Sequence, residues 1–261
     1  MLVPLAGGGQ ESLVSEVGFV LLPLFTTRDA CALRLVCREF LAAVSEHPWE
    51  DRRTVIQGSI AAWRACFPHA LCVNVQKWDS SYRANMRSAA VVDADFVHFE
   101  GLRELYMADC KGVTDAAFVH LRGIHTLDMT CCSQPAITDA AFAHLAGIQR
   151  LSMWGCHQVT ITDAALAHLR GIHTLYMRGC NQPAITDAAF VHLRGLHALV
   201  IDYCDQAAIT GATFSSLKGA SMLAMHDCSA AAIARAQSLG LPVLNRLGTP
   251  SNFSYTVPAV D

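Results

Sequence analysis

One stretch of the chain repeats itself almost letter for letter. VTDAAFVHLRGIHTLDMTCC begins at Val113, AITDAAFAHLAGIQRLSMWGC at Ala136, TITDAALAHLRGIHTLYMRGC at Thr160 and AITDAAFVHLRGLHALVIDYC at Ala184. Their acidic residues, Asp115, Asp139, Asp163 and Asp187, set the period at 24 residues. Weaker copies flank this block, VVDADFVHFEGLRELYMADC ending at Cys110 and AITGATFSSLKGASMLAMHDC ending at Cys228, which makes six in all. A unit this short cannot bury its own apolar face, so a fixed period of this size builds a stack in which each unit covers the next.

Each copy holds two readable elements. In the second, Thr138 or Asp139 is a helix cap, Ala140, Ala141, Phe142 and Leu145 suit a short helix, and Gly147 stands where a left-handed end belongs. Leu151-Ser152-Met153 then alternates, the pattern of a half-buried strand. Stacking would align Phe142, Leu145, Ile148, Leu151 and Met153 with their counterparts in neighbouring units. The expected fold is an α/β solenoid, a coil of parallel short strands and short helices.

The strand segment reads I/L-x-x-L-x-M/I-x-x-C, as in Ile124, Leu127, Met129 and Cys132 or Leu196, Leu199, Ile201 and Cys204. With the following ITD and apolar helix it resembles the leucine-rich repeat in its cysteine-containing form, over about residues 90–245. The copies are slightly shorter than that subfamily's usual unit, and Met often replaces the second strand Leu.

Four columns recur. Cys110, Cys132, Cys156, Cys180, Cys204 and Cys228 would face inward about one strand spacing apart, roughly 5 Å; packing explains them better than a metal or redox array. His98, His120, His144, His168 and His192 sit between inward Phe and Leu positions and should face solvent or the next coil. Without paired Cys or acids they lack a tetrahedral set, so no metal is expected. Protonating all five would line up like charges, so stability should fall as pH drops through the histidine range. The Thr-Asp pairs read as caps rather than catalytic dyads. The outward strand positions vary most: Tyr106, Asp128, Trp154, Tyr176, Arg178 and Asp202, with Tyr203 one place later. Aromatic and Arg side chains are typical interface anchors, so these seven are the candidate target-binding residues on the expected concave face.

An apolar content of 52% with 16% charged residues excludes a disordered chain. A net charge of −3 offers no basic surplus to neutralise phosphates, so no nucleic-acid partner is expected. The longest apolar run, Val17 to Phe25, covers about half of the ~20 residues a spanning helix needs, and no membrane partner is expected. The N-terminus lacks the order of a secretory signal. Eleven cysteines without a CxxC pair suit a reducing intracellular compartment, cytoplasmic or nuclear. No P-loop, Gly-x-Ser-x-Gly or paired-carboxylate motif occurs, so neither a cofactor nor catalysis is expected.

Ahead of the repeats, residues 1–12 read as a flexible tail and 13–54 as a small helical domain. Its helices are expected over Ser15–Leu22, Asp29–Ala42 and near Trp49. Residues 55–89 supply a bracing helix, Val55–Phe67, and an irregular cap strand, Leu71–Val75. After the repeats come a helix over Ala230–Ser238, a truncated strand at Pro242–Leu244 and a tail, 246–261.

The string LVSEVGFVLLPLFTTRDACALRLVCREFLAAVSEHPWED resembles the F-box. Leu13, Glu16, Val17, Leu21, Leu22 and Phe25 fill its opening positions, Asp29-Ala30 the middle, and Val36-Cys37-Arg38 and Trp49 the close. Val14 stands where the family has Pro, and Phe40 follows Arg38 where it has Trp. The resemblance implies docking to a Skp-type adaptor, and through it to a cullin, by Leu13, Val17, Leu21, Leu22, Phe25, Val36 and Cys37. It implies a substrate receptor of a Skp–cullin–F-box ubiquitin ligase whose repeats hold a target protein. Two other readings stay open. Those residues could form only the small domain's own core, and the chain could be a repeat scaffold outside ubiquitination.

Overall fold

The computed structural model describes residues 22–25, 27–49, 56, 59–75 and 91–244. Eight strands form one parallel sheet in sequence order: β1 Cys72–Asn74, β2 Glu104–Tyr106, β3 Thr126–Asp128, β4 Arg150–Ser152, β5 Thr174–Tyr176, β6 Ala198–Val200, β7 Met222–Ala224 and β8 Val243–Leu244. Every strand pairs with its successor in register, so equivalent residues of successive coils lie side by side. The solenoid expected from the period is the fold observed.

Apolar columns fill its interior. Val73, Leu105, Leu127, Leu151, Leu175, Leu199 and Leu223 point inward from the strand centres, each at most 1% exposed. Met107, Met129, Met153, Met177, Ile201 and Met225 follow two residues later, and Phe118, Phe142, Leu166, Phe190 and Phe214 close the column from the helical side. Met is unbranched and fills irregular gaps, which is why it can replace Leu here. The helical side is short turns, such as Asp115–Phe118 followed by Val119–Leu121. Each turn ends before a glycine at positive φ, for example Gly147 at 88°. A Cβ there would meet nothing, so backbone conformation rather than space demands the glycine.

The Thr-Asp pairs divide their work, a correction to the reading of both as caps. Thr138 caps its own turn, its hydroxyl accepting from Ala140 N at 3.2 Å. The Asp instead reaches the next coil. Asp115 accepts the Thr138 amide at 2.7 Å and the Thr138 hydroxyl at 2.6 Å. Asp139 holds Thr162 and Asp163 holds Thr186 in the same way, all four distances 2.7 Å. Asp93 clamps Thr114, and Asp187 clamps Thr210 and Gly211. A second ladder runs through the loops, where Gln134, Gln158, Gln182 and Gln206 donate to the carbonyls of Cys110, Cys132, Cys156 and Cys180.

The ends differ from expectation in detail. The single helix expected over Asp29–Ala42 is two, Thr27–Leu33 and Arg38–Glu46. The first tightens at its end into three-residue bonds, Leu35 N to Ala32 O and Val36 N to Leu33 O, and Cys37 is extended. Breaking there lets Phe40, Ala43 and Val44 share one face of the second helix, and Val44 is fully buried. No helix forms at Trp49, whose φ is 40°. Its indole is buried and donates to Val44 O at 2.9 Å. The bracing helix is Ile60–Cys66, shorter than expected, because Ser59 caps it by accepting from Ala62 N at 3.1 Å. The cap strand, the helix Ala230–Ser238 and the final strand lie where the sequence put them. The expected helix over Ser15–Leu22 lies almost wholly outside the described residues, as do both tails.

The small helical segment is joined to the coil by backbone. Leu71 N donates to Pro48 O at 2.7 Å and Cys72 N to Trp49 O at 3.2 Å. Trp49, Trp63, Phe67 and Phe99 cover the first coil, Trp49 on Phe67 and Trp63 on Phe99 edge to face and Trp63 on Phe67 tilted. Arg64 fixes the brace, donating to His98 O at 2.8 Å and Ala70 O at 3.1 Å, and burial lowers its pKa. Among the described residues no helix is long and apolar enough to cross a membrane.

Candidate protein-binding face

Three rows of side chains run across the outward face of the sheet. The first is Tyr106, Asp128, Ser152, Tyr176, Val200 and Ala224, matched strand to strand. The second, two residues on, includes Thr130, Trp154, Arg178, Asp202 and His226. The third is a left-handed position at which each coil turns away from the strand. Gly155 and Gly179 occupy it with φ of 67° and 68°, but Asp109, Cys131, Tyr203 and Asp227 also adopt φ between 53° and 60°. The turn is kept because it aims each amide at the next coil, as Cys131 N does at Trp154 O (2.7 Å) and Tyr203 N at His226 O (2.7 Å).

Tyr203 in this strained conformation completes a stack. The Arg178 guanidinium lies 5.3 Å from the Trp154 ring centre and 4.8 Å from that of Tyr203. Each such contact contributes about 0.5–1 kcal/mol at an exposed site. Tyr203 is itself held edge-on by His226 at 5.3 Å. Trp154 and Tyr203 stay 37% and 38% exposed.

Of the seven target-facing residues read from sequence, the structure brings these three together. Tyr176 is half-buried in the first row, one row from Arg178 on the same coil. Asp128 and Asp202 support loops, accepting the amides of Thr130 (2.9 Å) and His226 (2.7 Å). Tyr106 lies apart, three strands from Tyr176 or about 14 Å, and donates its hydroxyl to Glu104 at 2.7 Å.

The residues expected to face an adaptor do not share one environment where they are described. Leu13, Val17 and Leu21 lie outside the described residues. Leu22 is buried, Phe25 packs against the core, and Cys37 is half-buried. Val36 is 67% exposed, and beside it Leu35, which sequence reasoning missed, is 88% exposed. Leu24 and Leu41 add exposed apolar surface on the flanking segments. A Leu-Val pair at a helix boundary would have singled out this turn only if the break had been visible.

The repeat columns carry no converging chemistry. Cys132, Cys156, Cys180 and Cys204 are buried free thiols, each donating to a carbonyl of the preceding coil at 2.9–3.3 Å. The histidine column is not a bare row of imidazoles. His120 sits 2.6 Å from Glu100, and Arg122 and Arg170 reach His144 and His192, each at 3.4 Å. Among the described residues no three His, Cys, Asp or Glu side chains converge as a metal set.

No family model matches the chain, and no curated protein matches it. Solved structures do. A chain of the yeast Rad7–Elc1 complex aligns at 15% identity and a TM-score of 0.53, over 80% of this chain and 57% of that one. Internalin C2 of Listeria monocytogenes aligns at 18% identity and a TM-score of 0.50, over 83% and 92% of the two chains. The leucine-rich repeat domain of the type III effector XopL aligns at 15% identity and a TM-score of 0.45, over 89% and 88%. This chain thus spans little more than half of the Rad7–Elc1 chain it matches. At such identities the likeness is one of architecture: the protein has the parallel-strand α/β solenoid fold of leucine-rich repeats.

Proposed function

We propose that this chain is a protein-binding adaptor of a Skp–cullin–F-box ubiquitin ligase. The helix-turn-helix before the coil would dock a Skp-type adaptor, and the strand face would hold a target protein. The observation that carries this reading is the exposed Leu35-Val36 turn, an apolar surface that the small domain's own core leaves in solvent. The stacked Trp154, Arg178 and Tyr203 support the second half, since Trp, Tyr and Arg are the residues enriched at binding hot spots. The neighbour solved as a Rad7–Elc1 complex is consistent with a coil of this kind working beside a second chain. No covalent step falls to this protein; it would raise the effective concentration of target beside the conjugating enzyme.

A scaffold outside ubiquitination is the second reading. It is favoured by the buried Leu22 and by the backbone bonds of Pro48 and Trp49 to the first coil, which let the helices serve as its cap. Size-exclusion chromatography of the purified chain mixed with a Skp adaptor separates the two. A one-to-one complex is expected, and replacing Leu35 and Val36 together by Asp should abolish it while leaving the melting temperature within about 2 °C, because exposed substitutions change stability little. A folded wild-type chain that elutes alone would leave the scaffold.

A further inference from the structure

We propose that Arg178 is a pre-formed clamp for a single acidic side chain, carboxylate or phosphate, on an extended segment of the target protein. This rests on the strand face being the target-binding surface.

The guanidinium is a planar fork whose hydrogen-bond donors all lie in its plane. Trp154 and Tyr203 engage it at 5.3 and 4.8 Å. The rings lie against its central carbon and offer no hydrogen-bond acceptor like the carboxylate or phosphate with which its N–H donors pair two-pronged. Among the described residues no carboxylate lies within 4.0 Å of its nitrogens, and no hydrogen bond uses them. Asp202, at the matching position of the next coil, accepts the His226 amide at 2.7 Å through one oxygen. The positive charge is therefore held in place, half-exposed, with no counter-ion among the described residues.

The surroundings narrow the partner. Asp109 and Asp128 lie on the coils to one side, Asp202, Asp205 and Asp227 to the other. A run of acids would meet them as like charges, which costs affinity. One acid between apolar neighbours fits, its flanks resting on the exposed parts of Trp154 and Tyr203. An open strip of sheet suits an extended peptide rather than a small molecule, which binds in concave pockets.

The test probes a microarray of random twelve-residue peptides, with and without phosphoserine, using the full-length chain and its Arg178→Gln variant. The wild-type chain should select peptides bearing one Asp, Glu or phosphoserine. Changing that residue to Gln or Ser should weaken binding about tenfold or more, and against Arg178→Gln the two peptide versions should bind alike. A preference for carboxylate over phosphoserine, or the reverse, identifies the source of the anion. Selected peptides without an acid, equal binding by Arg178→Gln, or no peptides at all would each overturn the clamp. The peptide half of this cycle leaves the protein untouched, so a misfolded variant cannot imitate the result. Skp complex formation is measured on the same two chains and should be equal. Its absence from both would sink the ligase reading and leave the clamp standing.

Discussion

A thiol that donates to a buried carbonyl cannot ionise without placing charge where water does not reach. Burial, the main cause, pushes Cys110, Cys156 and Cys204 up to about 12 and Cys228 to about 11, and raises Cys132 and Cys180 as well. The thiolate is the reactive form, so the buried Cys132, Cys156, Cys180 and Cys204 should be silent toward a disulfide reagent at pH 8, whereas the exposed Cys131 reacts. Counting thiols released by the native chain over the first minutes checks this, and fast release beyond the partly exposed cysteines would mean that the coil opens. The inward column was legible from its 24-residue recurrence. Its carbonyl partners were not, because each lies 25–27 residues back. The Arg178 stack was legible only as three interface-prone residues, since its closure depends on the left-handed turn at Tyr203.

At the scale of the repeat unit, stability resides in what crosses from coil to coil. Asp139 accepts two hydrogen bonds from Thr162, both at 2.7 Å, and bonds to charged groups contribute about 1.5–3 kcal/mol each. Asp139→Ala should cost about 3 kcal/mol in urea unfolding; a loss below 1 kcal/mol would show water replacing the clamp. The strand entrances hold a stacked histidine pair. His173 stacks on His197 with ring centres 4.6 Å apart and a 14° tilt. Desolvation first, then His197 and Arg150, lower its pKa below the ordinary 6.5. The unfolded chain therefore takes up the proton first. The contribution is intact above pH 6.5 and is lost as pH falls through the lowered folded value. His173→Gln should flatten the decline of the urea midpoint between pH 7.5 and 5.5, and equal slopes would remove the assignment. Spacing alone placed the pH sensitivity in the five-histidine column, where Glu100, Arg122 and Arg170 lie against the rings.

For the whole molecule, a stack with nearest-neighbour contacts should lose its ends before its middle. Periodicity made the coil and its direction readable, because every unit states the same answer. The helical segment occurs once, so the break at residues 34–37 and the seating of Trp49 had no second copy to expose them. That seating decides how the N-terminal end behaves. Trp49 is 2% exposed, meets Phe67 at 5.5 Å, and its carbonyl receives the first strand's Cys72 amide. At the far end β8 has only two residues, and Leu244 is 53% exposed. Hydrogen exchange should accordingly find β4 to β6 most protected and β8 least. Truncating a buried Trp costs about 3–5 kcal/mol, and in a one-dimensional stack that loss stays near its source. Trp49→Ala should therefore release amides of β1 and β2 first while β5 and β6 keep wild-type rates. If protection fell equally across all eight strands, the helices and coil would be one cooperative unit, and the helical segment could not be separated from the solenoid as a docking module.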